Sequence, residues 1–212
     1  MRSDLRRALA ELAGADPVLA ELVARYGPPR LARAGAARGA DAHFAELVRS
    51  VVYQQLAGRA AAAIHGRLEE AVGGTVVPGA LLELGLDGLR QVGLSGAKAA
   101  TVAGLALAVS SGELDLGRIA RLPDDEVVAR LSALRGIGPW TAHMFCIFQL
   151  GRLDVWPVTD YGVRKGYWLA WELAELPSSR ALEPLGERFR PWRSVVAWYC
   201  WRVAEDGSLP TR

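Results

Sequence analysis

A chain of 212 residues is long enough to bury a substantial core, in one domain or two interleaved lobes. About half of it is hydrophobic, with Ala, Leu, Arg and Glu prominent, a balance that favours helices. The net charge of +2 excludes a histone-like or tail-mediated polyanion binder, so any contact with nucleic acid must come from local placement of charge and backbone groups.

Helical periodicity runs along almost the whole chain and strand-type alternation is nearly absent, which predicts an all-α fold. Short amphipathic helices are expected over residues 4–13 and 17–26, then a turn at Gly27-Pro28-Pro29 and small residues on to Ala40. Residues 44–72 carry Phe44, Leu47, Val48, Val51, Val52, Leu56, Ile64 and Leu68 in helical spacing, with a break near Ala57-Gly58 and a stop at Gly73-Gly74. Further helices are expected over 81–92, 96–110, 115–122 and 124–134. Ser95 is placed to cap the one carrying Lys98, and Asp124, Asp125 and Glu126 put negative charge into the first turn of another. A strongly apolar helix is predicted over 140–150, a loop over 151–157, and a helix starting at Thr159 or Asp160. Pro177-Ser178 separates it from a helix over 180–189, and the last helix runs from Pro191 to near Val203. Residues 207–212 are expected to fray.

Cys146 and Cys200 both lie in apolar helical stretches and are expected to be buried free thiols. Two thiols cannot assemble a four-thiolate iron–sulfur cluster or a Cys-only zinc site. His43, His65 and His143 have no metal-ligand spacing, so no catalytic metal is expected. No run reaches the roughly 18 apolar residues of a membrane span. The charged start, Met1 to Arg7, lacks the apolar core of a secretory leader. The expectation is a bacterial protein of the cytoplasm and nucleoid with no membrane partner.

The densest chemistry lies in Leu134-Arg135-Gly136-Ile137-Gly138-Pro139-Trp140-Thr141-Ala142. Two glycines around one aliphatic residue describe a tight hairpin, and the helix that follows begins with unpaired N–H groups suited to a phosphate. Pro139 fits the first turn of that helix. Taken alone, an isolated Gly-x-Gly reads first as a packing corner between two helices. Asp160 reads as a helix N-cap or as a carboxylate for catalysis, and Gln54-Gln55 as surface amides or as groups that meet DNA.

The longer pattern resembles the helix-hairpin-helix DNA glycosylase superfamily, in its AlkA-like 3-methyladenine branch. The likeness rests on five segments in order. These are His43-Phe44 through Val51-Val52-Tyr53-Gln54-Gln55-Leu56; Gly93-Leu94-Ser95 with Lys98-Ala99; the hairpin; Asp154-Val155-Trp156-Pro157-Val158-Thr159-Asp160-Tyr161; and Arg190-Pro191-Trp192-Arg193-Ser194 with Trp198 and Trp201. The stretch before His43 is too short and too helical for the mixed N-terminal domain of longer members, which implies the compact form.

The resemblance implies a two-lobed helical fold with its active site in the cleft between the lobes. One lobe would span 44–150 and end in the hairpin helix. The N-terminal helices of 1–43 would pack with 151–212 to form the other. It also implies a monomer that excises alkylated purines (3-methyladenine, 7-methylguanine, hypoxanthine or ethenoadenine) from double-stranded DNA, leaving an abasic site for base excision repair.

Residue by residue, Asp160 falls on the catalytic aspartate, and Trp140, Tyr161, Trp201 and Met144 on positions of the base pocket. Gln55 falls on the wedge that fills the gap left by a flipped base, beside Gln54. Gly136, Ile137, Gly138 and Thr141 form the DNA-gripping hairpin, with Arg59 as a phosphate contact. Bifunctional members carry a lysine where this chain has Trp140, so water is the expected nucleophile. The only lysines are Lys98, expected to meet backbone or solvent, and Lys165, which no motif supports as a lyase group. Met144 and Gly162 stand where relatives have bulkier groups and imply a roomier, less aromatic pocket. Trp168, Trp171, Trp192 and Trp198 are assigned to packing. No cofactor is expected beyond a structural Na+ or K+ held by the backbone of Leu134, Gly136 and Ile137. The rival reading is a non-catalytic hairpin protein that recognises distorted DNA, which would not need Asp160.

Overall fold

The computed structural model describes residues 3–29, 31, 39–56 and 58–207, and no strand occurs among them. Most of the small-residue stretch before Ala40, the Ala57 break and the chain end from 208 lie outside the described residues. The helices are α1 (Ser3–Ala15), α2 (Pro17–Tyr26), α3 (Ala40–Tyr53), α4 (Gly58–Ala71), α5 (Pro78–Gln91) and α6 (Gly96–Ser110). They continue with α7 (Leu116–Ile119), α8 (Asp124–Ser132), α9 (Pro139–Met144), α10 (Tyr161–Ala170), α11 (Ser179–Leu185) and α12 (Arg193–Asp206).

Local chemistry accounts for most of the starts. Asp16 Oδ1 accepts from Val18 N at 2.9 Å and Leu19 N at 3.3 Å, ahead of Pro17. Ser95 and Ser178 cap α6 and α11 through Lys98 N and Ala181 N. Gly207, at φ +64°, ends α12 in the left-handed conformation.

Residues 44–72 divide into two helices, in keeping with the expected break near Ala57-Gly58, although α3 stops sooner, at Tyr53, and Gln55 turns left-handed at φ +54°. The apolar helix over 140–150 is α-helical only to Met144 and then widens into a π-turn, Phe145–Gln149. That wide turn seats the buried Gln149 amide against α3, 3.1 Å from the Ala42 carbonyl and 3.0 Å from His43 Nδ1.

The chain divides into two compact units, one of Met1–Ala34 with Leu150–Arg212 and one of Gly35–Gln149. The boundary therefore lies ahead of α3 rather than at 43/44. His43 is buried and packs edge-on against Phe145, so the start of α3 belongs with the middle of the chain. In the first unit α1, α2 and α10 to α12 enclose Leu9, Leu19, Leu22, Val163, Tyr167, Phe189, Trp192, Tyr199 and Val203. Trp192 is buried there, and Trp171 and Trp198 pack against the same core. The second unit buries Phe44, Leu47, Val51, Leu68, Leu81, Leu89, Leu105, Ile119, Leu131 and Phe145.

Candidate active site

In the second unit the hairpin turns at Gly136, whose φ of +84° is a conformation that L side chains rarely adopt. Space demands glycine as well: a Cβ there would lie 1.9 Å from Oγ1 of the buried Thr101 on α6. Ile137, only 2% exposed, plugs the turn into the core, and its N–H donates to the Leu134 carbonyl at 3.1 Å. Its side chain is therefore not a DNA contact. Gly138 is different: its φ is −90° and a Cβ would meet nothing within 4 Å. Neither conformation nor packing requires glycine there, and the bare backbone leaves room for a close approach from outside. Trp140, in the first turn of α9, is 40% exposed, and Met144 at its end is half-buried.

A second turn is fastened to this hairpin. Lys98 Nζ, on α6, donates to the carbonyls of Val52 at 2.8 Å and Gln54 at 2.6 Å, which end α3. Burial lowers the pKa of this ammonium from the ordinary lysine value. The Gln54 amide nitrogen donates in turn to the Gly136 carbonyl at 3.3 Å and Thr141 Oγ1 at 3.0 Å. Thr141 is buried and Gln54 half-buried, and the contact between them fastens the α3 turn to the hairpin. Gln55 and Arg59 are exposed, as is Leu56 between them.

In the first unit Asp160 is half-buried at the N-terminus of α10. Its Oδ1 accepts from Val163 N at 2.8 Å and from Trp201 Nε1, on α12, at 2.9 Å. Capping and a second, long-range contact thus coexist on one oxygen. Gly162 makes the second contact feasible. A Cβ there would sit 2.8 Å from Trp201 Cδ1 and 3.1 Å from Asp160 Oδ1, so the indole already fills the space a side chain would take. Gly162 therefore does not enlarge the pocket as expected; it admits Trp201. Tyr161, next to the carboxylate, is 60% exposed.

The loop leading to Asp160 is anchored to the start of α12. Buried Arg193 donates from Nε to Asp154 Oδ1 and from Nη2 to the Asp154 carbonyl, both at 2.8 Å. Val155 N donates to Ser194 Oγ, and Ser194 N to the Leu153 carbonyl, each at 2.9 Å. Trp156 Nε1 reaches the Leu182 carbonyl at 3.1 Å, over Gly186. Sequence patterning shows Asp154 and Arg193 as polar residues in a loop and at a helix start. It contains no signal that pairs them across 39 positions.

The two thiols are free and buried. Burial, and then the Asp160 charge, pushes the Cys200 thiol far up. Lys165 Nζ donates to the Ala204 carbonyl at 3.1 Å. Among the described residues no cluster of His, Cys, Asp and Glu is placed to hold a metal ion.

Residues 48–189 match the HhH-GPD superfamily of base excision DNA repair proteins. The chain belongs to this superfamily. It is 31% identical to DNA-3-methyladenine glycosylase 1 of Schizosaccharomyces pombe, over 99% of this chain and 93% of that protein. The solved 3-methyladenine DNA glycosylase Mag1 of Schizosaccharomyces pombe, in complex with abasic DNA, superposes with a TM-score of 0.82 at 31% identity, covering 94% of this chain and 97% of that one. A DNA-3-methyladenine glycosidase of Bacillus halodurans superposes with a TM-score of 0.80 at 32% identity, covering 93% and 88%. Within this HhH-GPD chain, the matched stretch contains the Gln54 turn, the hairpin and Asp160, while Trp201 lies beyond it.

Proposed function

We propose that the chain is a DNA glycosylase that hydrolyses the N-glycosidic bond of alkylated purines in duplex DNA. Its substrates are of the 3-methyladenine and 7-methylguanine type and extend to hypoxanthine and ethenoadenine. Water is the nucleophile, and an abasic site in an uncut strand is the product. The observation that carries this reading is the Asp160 carboxylate held at Oδ1 by two N–H donors, in a chain whose superfamily is that of base excision repair.

Breaking the bond builds positive charge on the sugar, which a carboxylate stabilises electrostatically. A carboxylate tethered by Val163 N and Trp201 Nε1 is aimed before the reaction starts, so little reorganisation is needed as the charge develops. The same group can orient or deprotonate the attacking water. Alkylation at N3 or N7 makes the purine cationic and a good leaving group, and the exposed ring of Tyr161, next to Asp160, suits a cationic base by stacking. Trp140 carries no amine, and Lys98 and Lys165 both donate to backbone carbonyls, which favours water over a side-chain nucleophile.

The hairpin backbone would hold a phosphate, and Gln55 would fill the gap left by the flipped base. The carbonyls of Leu134 and Gly136 each accept one N–H and keep a second lone pair. With Ile137, these neutral oxygens suit Na+ or K+, which would add positive charge beside that phosphate.

The test is base release from duplexes containing 3-methyladenine or hypoxanthine, with wild-type protein and with Asp160→Asn. Release by wild type, a fall of about a hundredfold or more in the variant, and strand breaks only after alkali are the expected results. Binding without release from either protein would overturn the enzyme reading in favour of damage recognition. Strand cleavage without alkali, trapped by borohydride, would overturn water as the nucleophile.

A further inference from the structure

Helix α6 supports two surface turns at once. Lys98, near its start, holds the end of α3 through the Val52 and Gln54 carbonyls at 2.8 and 2.6 Å. Thr101, one turn later and buried, is the residue against which Gly136 of the hairpin packs without room for a Cβ. Between these supports the Gln54 amide bridges directly to the hairpin, at the Gly136 carbonyl and Thr141 Oγ1. The residue that follows, Gln55, is exposed and left-handed at φ +54°. A non-glycine residue holds that conformation only where its surroundings impose it. Here Lys98 fixes the peptide just before it.

We propose that Lys98 is a positioning residue for base flipping. By clamping the end of α3 it holds Gln55 at a fixed offset from the hairpin, so that a hairpin gripping one strand delivers the Gln55 amide to the stacked target base. This rests on the reading of the chain as a glycosylase with Gln55 as its wedge. Two features of Lys98 suit the task. An ammonium satisfies two helix-terminal carbonyls at once and is favoured by the helix dipole. It also lies partly buried behind the turn, where it acts through Gln54 and Gln55 rather than on the reacting atoms.

Flipping is costly for a paired base and much less so for an unpaired one, and that difference separates positioning from general damage to the fold. The experiment compares Lys98→Met with wild type on hypoxanthine in two settings, paired in a duplex and in single-stranded DNA, under single-turnover conditions. The expected result is a fall of about tenfold or more on the paired substrate, a change of less than about twofold on the single strand, and an unchanged affinity for an abasic-site duplex. Fluorescence of 2-aminopurine beside the lesion should show slower or smaller base extrusion in the variant. Gln54→Glu, which keeps the size of the side chain but cannot donate to the Gly136 carbonyl, should give the same selective loss if Lys98→Met does not fold.

Equal losses on both substrates, or no loss on either, would overturn the positioning role. Wild-type protein that releases base from neither substrate would instead overturn the glycosylase reading, and the two failures are therefore distinct.

Discussion

Trp201 and Gly162 do more for Asp160 than its position in the chain suggests. The indole N–H reaches Oδ1 at 2.9 Å only because residue 162 has no side chain in the way. Hydrogen bonds to charged groups contribute about 1.5–3 kcal/mol, equivalent to roughly tenfold to a hundredfold in rate where the bond orients the reacting group. Trp201→Phe keeps a ring and removes the donor, so base release in single-turnover assays, run at a temperature where the variant remains folded, should fall by about that factor. Gly162→Ala should reduce activity in the same direction, because its Cβ meets a rigid ring at 2.8 Å rather than a flexible chain end. A variant that merely narrowed a roomy pocket would instead keep full activity on small lesions. The sequence offered two readings of Asp160, cap and catalytic carboxylate, as if one had to be chosen. Oδ1 caps α10 and takes the indole together, so local context could reveal the cap while the partner 41 residues away stayed out of sight.

At the scale of elements, glycines with the same letter do unlike work. Gly136→Ala combines a left-handed backbone, about 1–2 kcal/mol, with a Cβ driven into buried Thr101, and should lower stability by at least about 2 kcal/mol in urea denaturation. Gly138→Ala meets nothing and keeps φ −90°, so stability should hold while affinity for an abasic-site duplex falls. The hairpin was legible in the sequence because both glycines sit between helix-compatible segments. Gly166 was not, since a lone glycine inside a helix has no distinctive pattern. Yet a Cβ there would lie 1.8 Å from the Cys200 carbonyl oxygen, so α10 and α12 touch backbone to backbone at this point. Gly166→Ala should cost about 3 kcal/mol, at the upper end for overpacking, and would also displace the helix that carries Trp201. The end of α3 was blurred for the opposite reason. Apolar spacing continues through Leu56 and Ile64, and the end of α3 is held by a lysine from α6 that no local pattern reveals.

At the scale of the whole chain, one unit is assembled from both ends and the other from the stretch between. Composition and periodicity were enough for an all-helical fold, but closing a unit from distant segments depends on pairs that periodicity does not encode. The N-terminal helices are joined to α12 and its neighbours by such pairs: Trp192 Nε1 to Glu11 at 2.6 Å, Tyr199 Oη to the Gly27 carbonyl at 2.8 Å, and Trp171 Nε1 to Asp16 at 3.0 Å. At the outer end Tyr26 Oη donates to Asp206 Oδ2 at 2.8 Å, and Arg25 pairs with the same carboxylate. Burial, reinforced by the Asp206 hydrogen bond, raises the Tyr26 pKa from 10.0 to about 12. Below pH 10 both folded and unfolded chains keep this proton, and the contact contributes in full. Between pH 10 and about 12 the unfolded chain ionises while the folded one still holds the proton, so the contribution declines, and above that range it is gone. Tyr167 and Tyr199 are also raised by burial and add their own alkaline slope, so the decisive quantity is a difference between two proteins. In urea titrations at successive pH values, wild type should exceed Tyr26→Phe in stability at neutral pH, and this margin should shrink steadily from pH 10 upward. A margin that stayed constant across that range would mean that the phenol does not hold its proton against Asp206, and that the two ends of the chain are joined by their other hydrogen bonds and by packing.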